Sequence, residues 1–198
     1  DGDLLSWMED FRDQGLVRHV GVSVETMEEA RFAVAHPAVV SLQIIFNIFR
    51  QEAVEQLFPQ AAANDVGIIV RLPLASGVLS GTMTRDRQFA ETDHRSFNRD
   101  GAAFHVGETF AGIPFERAVD LATEVAALAP AGMSPAQMAM RWVLDHPQVT
   151  TVIAGTTRPE QVTENATATD LEPLPEALHR QLADFYRAEV EPHIRGVR

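Results

Sequence analysis

Short apolar runs alternate with helical patterns along this chain, and that alternation constrains the fold more than any other feature. Four runs read as strands: Val17 to Val22, Val39 to Ile45, Ile68 to Val70 and Val149 to Ala154. The second, VVSLQII, is almost continuously apolar, as a strand buried on both faces would be. Strand, helix, strand, helix implies parallel βαβ units. Two architectures satisfy this pattern: a small open doubly wound sheet, or part of an eight-stranded barrel. GVSVET, after the first strand, is not the G-x-G-x-x-G phosphate fingerprint, which counts against a dinucleotide-binding open sheet.

The helix signals are local and physical. Leu5 to Asp13 has helical spacing and runs into Gly15, a stop signal. Thr26 to Glu29 (TMEE) forms a capping box, opening a helix expected to reach about His36 before Pro37. Val54, Leu57, Phe58, Ala61 and Ala62 mark one face of the next helix. Pro114 to Leu128 follows, and Ser134-Pro135 supplies an N-cap with proline at the first helical position, opening Ala136 to Asp145. Pro159 starts another helix, and Pro175 to Glu189 reads as a terminal helix packed outside. Between Leu72 and about Ile113 the period disappears. A stretch of roughly 40 residues without periodicity is a functional lid or disordered, and Phe97, Phe104 and Phe110 within it argue for packing.

Composition then excludes whole classes. The chain has 198 residues, no cysteine, 16 arginines, no lysine and a formal net charge of -12. Cysteine-based zinc sites, thiol nucleophiles, Schiff-base lysines and P-loop lysines are therefore impossible here. The acidic balance argues against a nucleic-acid partner. No apolar run approaches the about 18 residues of a membrane helix, and DGDLLSWMEDF is not a signal peptide. The expectation is a cytoplasmic protein without a membrane partner, and a chain that is a piece of something longer. The seven histidines show no i, i+4 pair and no H-x-H, so a metal site has little support.

Parallel α/β folds gather chemistry at the C-terminal ends of their strands. Those ends are Ser23, Gln43 to Asn47, Arg71 to Gly77, and Gly155 to Arg158. They offer hydrogen bonds and anion contacts but no general base, the profile of a cofactor site. In VIAGTTRPEQVTEN (Val152 to Asn165), a strand ends in a glycine turn and a helix begins at Pro159. Free amides there attract anions, and Thr156, Thr157 and Arg158 add donors, with Gln161, Glu164 and Asn165 one turn on. A plain helix cap with a solvated first turn explains the same residues equally well. Gln43 and Asn47 either satisfy nearby backbone groups or face a ligand. Asp93, His94, Arg95, Asn98 and Arg99 read as a solvated loop cluster, and Glu116, Asp120 and Glu124 as a solvated helix face.

Taken in order, five segments resemble the C-terminal half of the aldo-keto reductase family: GLVRHVGVS (Gly15 to Ser23), LQIIFNIFR (Leu42 to Arg50), GIIVRLPLASGVLSG (Gly67 to Gly81), AQMAMRWVLDHP (Ala136 to Pro147) and VIAGTTRPEQVTEN (Val152 to Asn165). The resemblance runs from about Leu4 to Glu189. It implies a (β/α)8 TIM barrel of which this chain, residues 1–198, is the C-terminal half: strands 5–8 with their helices, a long loop after strand 7 (about 72–113) and a C-terminal helix (about 175–189). It implies NADP(H) as cofactor and an aldehyde or ketone, a small-molecule carbonyl, as substrate. By position, Ser23 and Gln43 would hold the nicotinamide carboxamide. Arg71 stands where the family often has an aromatic stacked on the nicotinamide, and a planar guanidinium could stack there instead. Leu72, Pro73, Leu74, Ala75, Ser76 and Gly77 would line the pyrophosphate. Gly155, Thr157, Gln161, Glu164 and Asn165 would hold the adenosine end, with Arg158 facing the 2'-phosphate.

Three residues depart from the family pattern. Val24 stands for the usual Asn or Arg, Leu72 for a Ser and Thr82 for a Lys, each removing a polar cofactor contact that Arg71, Arg95 or Arg99 would have to replace. The family's catalytic Asp, Tyr, Lys and His lie on its first four strands and none can be placed here, so no catalytic residue is assigned. The only tyrosine, Tyr186, lies in the terminal helix. A half-barrel leaves open edges and an exposed inner face, which the missing N-terminal half or a second copy would cover. The alternative is a non-catalytic, nucleotide-binding regulatory or interaction relative of the family.

Overall fold

The computed structural model describes residues 3–197. Four strands, β1 (Val20–Ser23), β2 (Val39–Ile45), β3 (Gly67–Arg71) and β4 (Val149–Ile153), pair in chain order, every pair parallel. The helices are α1 (Asp3–Asp13), α2 (Met27–Val34), α3 (Ala53–Gln56), α4 (Phe58–Ala63), α5 (His94–Phe97), α6 (Phe115–Ala126), α7 (Pro135–Leu144), α8 (Pro159–Ala166) and α9 (Glu176–Phe185).

The local signals work as their chemistry requires. Gly15 stops α1 at φ +73°, a region closed to most side chains. Thr26 Oγ accepts from the Glu29 N–H at 3.2 Å. The Glu29 carboxylate accepts from the N–H groups of Glu25 (2.9 Å) and Thr26 (3.1 Å), and these bonds hold its pKa below the usual carboxylate range. Ser134 and Gln137 form the same reciprocal box at the start of α7.

Three details differ from expectation. The first strand starts at Val20 rather than Val17, where pairing with Val39 begins. The helix expected across Val54 to Ala62 is two, broken at Leu57 (φ -126°), where Pro59 sits in the first turn of α4. Proline lacks the N–H that would continue the ladder. The terminal helix is regular only to Phe185 and widens into a π turn, Tyr186–Val190.

The sheet has two unlike faces, because alternate strand residues point to opposite sides. The rows Val22–Leu42–Ile68 and Ile44–Val70–Val152 lie on the side that the helices cover, and Leu42, Ile44, Ile68 and Val70 are all but fully buried. Beyond them Phe46 packs against Trp142, Phe58 and His146, each ring 4.9 Å away. Burial there pushes the His146 pKa down, favouring the neutral ring. The opposite face carries Gly21–Ser41–Gly67, Ser23–Gln43–Ile69–Thr151 and Ile45–Arg71–Ile153. Ser23 and Thr151 are exposed, Gln43 is half-buried, and Ile153 is 52 % exposed. The expectation that β2 is buried on both faces is therefore corrected: Leu42 and Ile44 are closed off on the helix side, whereas on the other side Ser41 and Gln43 are part-exposed and only Ile45 is buried. At the sheet edge, α1 exposes Leu4, Trp7 and Phe11, and α2 exposes Phe32. Together with the uncovered edge of β1 they form an apolar flank, with a cleft between α1, β1 and α2.

Residues 72–113 are packed, not disordered. A tight turn at Ala75–Ser80 rests against α6 and α7. Phe110 and Ile113 are fully buried, while Phe97 and Phe104 stack edge to face at 6.1 Å near the surface. Among the described residues no helix is long and apolar enough to cross a membrane, and no cluster of acidic and histidine side chains could hold a metal ion.

Candidate functional site

The C-terminal ends of β1, β2 and β3 meet on the open face of the sheet. Gln43 Nε2 donates to Ser23 Oγ at 3.2 Å, so the two residues expected to act together are paired. Asn47 is different. It is fully buried, donates to Leu72 O at 2.9 Å and accepts from the Phe49 N–H at 2.9 Å. Of its two readings, the backbone-satisfying one holds.

Arg71 ends β3 and bridges all three strands. Its Nη1 donates to Val24 O (2.9 Å) and to Gln43 O (3.2 Å). Its Nε and Nη2 both reach Glu108 Oε1, at 3.1 and 2.5 Å. The side chains of Arg71 and Glu108 are only 14 % and 20 % exposed. The guanidinium is thus held by its edges; only its faces are left for a ring to stack on.

The next segment is conformationally unusual. Six non-glycine residues have positive φ among those described, and Leu72, Ala75, Ser76, Phe110 and Ala111 are five of them. Such residues cost about 1–3 kcal/mol each and cluster where surroundings over-determine them. Here two strained segments face each other. Ser76 Oγ donates to Glu108 O (3.2 Å) and accepts from the Phe110 N–H (3.1 Å). Pro73 and Ala75 are buried, whereas Leu72, Leu74, Ser76 and Gly77 are part-exposed.

The loop cluster around Arg95 is not simply solvated, which corrects that expectation. Asn98 is fully buried; its Nδ2 donates to Thr109 Oγ1 (3.1 Å) and its Oδ1 accepts from the N–H groups of Ala103 and Phe104 (3.0 and 2.9 Å). Arg95 binds Asp93 through Nε and Nη2 and lies 4.6 Å over the Phe89 ring. The paired guanidinium pulls the Asp93 pKa down to about 2. Arg99 lies 4.8 Å over Phe115. Arg195, near the chain end, ties the loop from the other side: Nε to Gly112 O (2.9 Å), Nη1 to Asp100 (2.7 Å) and Nη2 to Arg99 O (3.0 Å). Gly112 has φ +83°, and a Cβ there would meet Arg195 O at 2.8 Å. The roles of Glu108 and Arg195 were not legible in the sequence, because their partners are distant in the chain, and Asn98 bonds to an irregular loop that carries no periodic signal.

The turn after β4 is organised otherwise. Gln161 Oε1 accepts from the N–H groups of Thr157 (2.8 Å) and Arg158 (3.1 Å). The first turn of α8 is therefore capped by its own side chain. Gly155, Thr157, Arg158 and Glu164 are exposed, and Gln161 and Asn165 are half-buried.

A model of the Aldo/keto reductase family matches residues 2–187. Among curated proteins, the chain is 27 % identical over 157 residues to an aldo-keto reductase, YhdN, of Bacillus subtilis, covering 78 % of this chain and 45 % of that protein. It is 30 % identical over 135 residues to a probable voltage-gated potassium channel subunit beta of Arabidopsis thaliana, covering 65 % of this chain and 38 % of that one. Among solved structures, the glycerol dehydrogenase AKR11B4 from Gluconobacter oxydans superposes with a TM-score of 0.70 at 24 % identity, covering 96 % of this chain and 55 % of the other. The holo form of the aldo-keto reductase AKR11C1 from Bacillus halodurans superposes at 0.65 and 22 % identity, over 94 % and 57 %. This chain thus spans half or less of the curated relatives it matches.

Proposed function

Because the chain belongs to the aldo/keto reductase family, we propose that it forms the cofactor-binding half, strands 5–8, of an NADPH-dependent reductase of aldehydes or ketones. The observation that carries this reading is the paired Ser23 and Gln43 on the open sheet face, beside the strained turn at Leu72–Gly77. The donor set fits a nicotinamide nucleotide. Ser23 and Gln43 offer a hydroxyl and a primary amide to a carboxamide. In the segment Leu72 to Gly77, the small, part-exposed Ser76 and Gly77 would let a diphosphate approach the backbone. Thr157 and Arg158 supply a hydroxyl and a guanidinium near the start of α8, suited to a ribose 2'-phosphate. Gly155, Gln161, Glu164 and Asn165 complete the adenosine end.

A bound reduced nicotinamide supplies a hydride for carbonyl reduction. This chain's part is to bind and orient. The Gln43–Ser23 bond fixes which way the amide points, and the edges of Arg71 keep the strand ends in register. The proton for the alcohol has no donor here: lysine is absent, and Tyr186 is buried in the π turn following α9. We assign that donor to the remainder of the barrel. The apolar flank of Leu4, Trp7, Phe11 and Phe32 and the uncovered edge of β1 support a covering partner, either upstream residues or a second copy.

The test is NADPH oxidation by the intact protein over a broad panel of aldehydes and ketones. Turnover lost on Gln43→Ala supports the reading, and no turnover on any carbonyl sinks it. Tight nucleotide binding without turnover favours the second reading, a regulatory nucleotide-binding relative. That reading draws on Val24, Leu72 and Thr82, each apolar or short where the family carries a polar cofactor contact.

A further inference from the structure

A cluster of polar side chains that the proposed site does not use lies where the end of α7 meets α9. Asp145, capping α7, is its hub. Its Oδ1 accepts from Arg141 Nε at 2.8 Å, and its Oδ2 accepts from the Leu174 N–H and from His179 Nε2 of α9, both at 2.9 Å. Arg141 also donates to the carbonyls of Ala168 and Leu171, each at 3.4 Å. The adjacent His146 is set differently. Its Nδ1 donates to Trp142 O at 2.9 Å, which leaves Nε2 bare in the neutral ring. That ring packs edge to face against Phe46, Phe58 and Trp142, at 4.9, 5.8 and 4.6 Å, and against His179 at 5.8 Å.

Two imidazoles thus touch in unlike surroundings. Positive charge on His179 meets the Asp145 carboxylate. Positive charge on His146 meets three aromatic rings and His179 itself. From α7 the charged groups near His146 are Asp145 and the Arg141 it holds; α9 brings His179, while the end of β2 and α4 bring Phe46 and Phe58. Desolvation and the His179 imidazole hold the His146 pKa below the ordinary histidine value, against the opposing pull of the Trp142 carbonyl and Asp145.

We propose that His146 is an acid-operated release for α9: a second proton on its ring places charge beside His179 inside the aromatic contact, and α9 loosens from α7. The sign follows from linkage. The folded pKa is lowered, so the stability given by neutral His146 is present above the unfolded value and is lost as pH falls through the folded one. The device does not depend on the nucleotide reading. It bears on the loop beside the strand ends, because α9 leads through the π turn to Arg195, which ties residues 99–112.

The experiment uses the intact protein in four forms: native, His146→Phe, His146→Gln and His179→Gln. Hydrogen exchange over 176–185 is measured between about pH 7.5 and 5, where histidines titrate, and corrected for intrinsic rates. Fluorescence is followed in parallel, since a charged imidazole quenches an indole in contact with it, as His146 is with Trp142. Native protein is expected to exchange α9 about tenfold faster at the acid end, with quenching over the same range. Both His146 variants should lose the acceleration and the quenching; if His146→Phe does not fold, His146→Gln decides. In His179→Gln the transition should move to higher pH, because a repelling neighbour is gone, a shift that a merely structural contact would not give. Equal corrected exchange across the range in the native protein overturns the proposal. So does an acceleration that survives in His146→Gln.

Discussion

The two segments read as cofactor-binding are built in opposite ways. Leu72–Gly77 is held by tertiary bonds: to Asn47, to Glu108 and Phe110 through Ser76, and, through the loop beyond, to Arg195. Gly155–Asn165 is held by itself, with Gln161 capping its own helix start in an exposed setting. A site of the first kind is preorganised before any ligand arrives, and its geometry fails when a distant residue is changed. A site of the second kind is cheap to form and easily reshaped, since a ligand's oxygens can take the amides that Gln161 now occupies. Leu72–Gly77 is thus the rigid segment of the proposed site and Gly155–Asn165 the adaptable one.

That contrast can be broken by mutation. The largest effect is expected at Asn98, a fully buried side chain that makes three hydrogen bonds, one buried and two part-buried. Asn98→Ala should cost about 2–4 kcal/mol in denaturant unfolding and weaken nucleotide binding, although Asn98 lies outside the segments read as contacting nucleotide. Gly112→Ala comes next, at about 1–3 kcal/mol, because a Cβ meets the Arg195 carbonyl at a left-handed backbone position. Gln161→Ala should cost less, about 0.5–1 kcal/mol of stability, and shift nucleotide affinity only a few-fold by calorimetry. A loss at Gln161 as large as at Asn98 would erase the contrast.

Much of the fold was legible, because its signals are local. The boxes at Thr26 and Ser134, the stop at Gly15 and the apolar run of β2 each act within a few residues. Ser23 and Gln43 were brought together by the family resemblance, and their bond follows from the β1–β2 register that places them side by side. The loop was not. Its charges looked solvated because one-dimensional spacing cannot show that Arg71 meets Glu108, or that Arg195 returns to Gly112. Asn98 carries no pattern at all and becomes central only after the chain has folded around it.

A smaller effect concerns acid. Asp93 titrates near 2 when folded, below its ordinary value near 4. The folded pKa is depressed, so its contribution to loop stability is present above about pH 4 and is lost as pH falls toward 2. Hydrogen exchange across residues 89–105 should quicken over that window, and Asp93→Asn should remove the pH dependence.

The central claim is that the ends of β1, β2 and β3 hold a nicotinamide nucleotide. Fluorescence titration of the intact protein with NADPH, native against Gln43→Ala, tests it directly. Saturable binding that weakens about tenfold in Gln43→Ala, equivalent to about 1.4 kcal/mol, is the expected result. No saturable binding, or equal affinity in the two proteins, would contradict it.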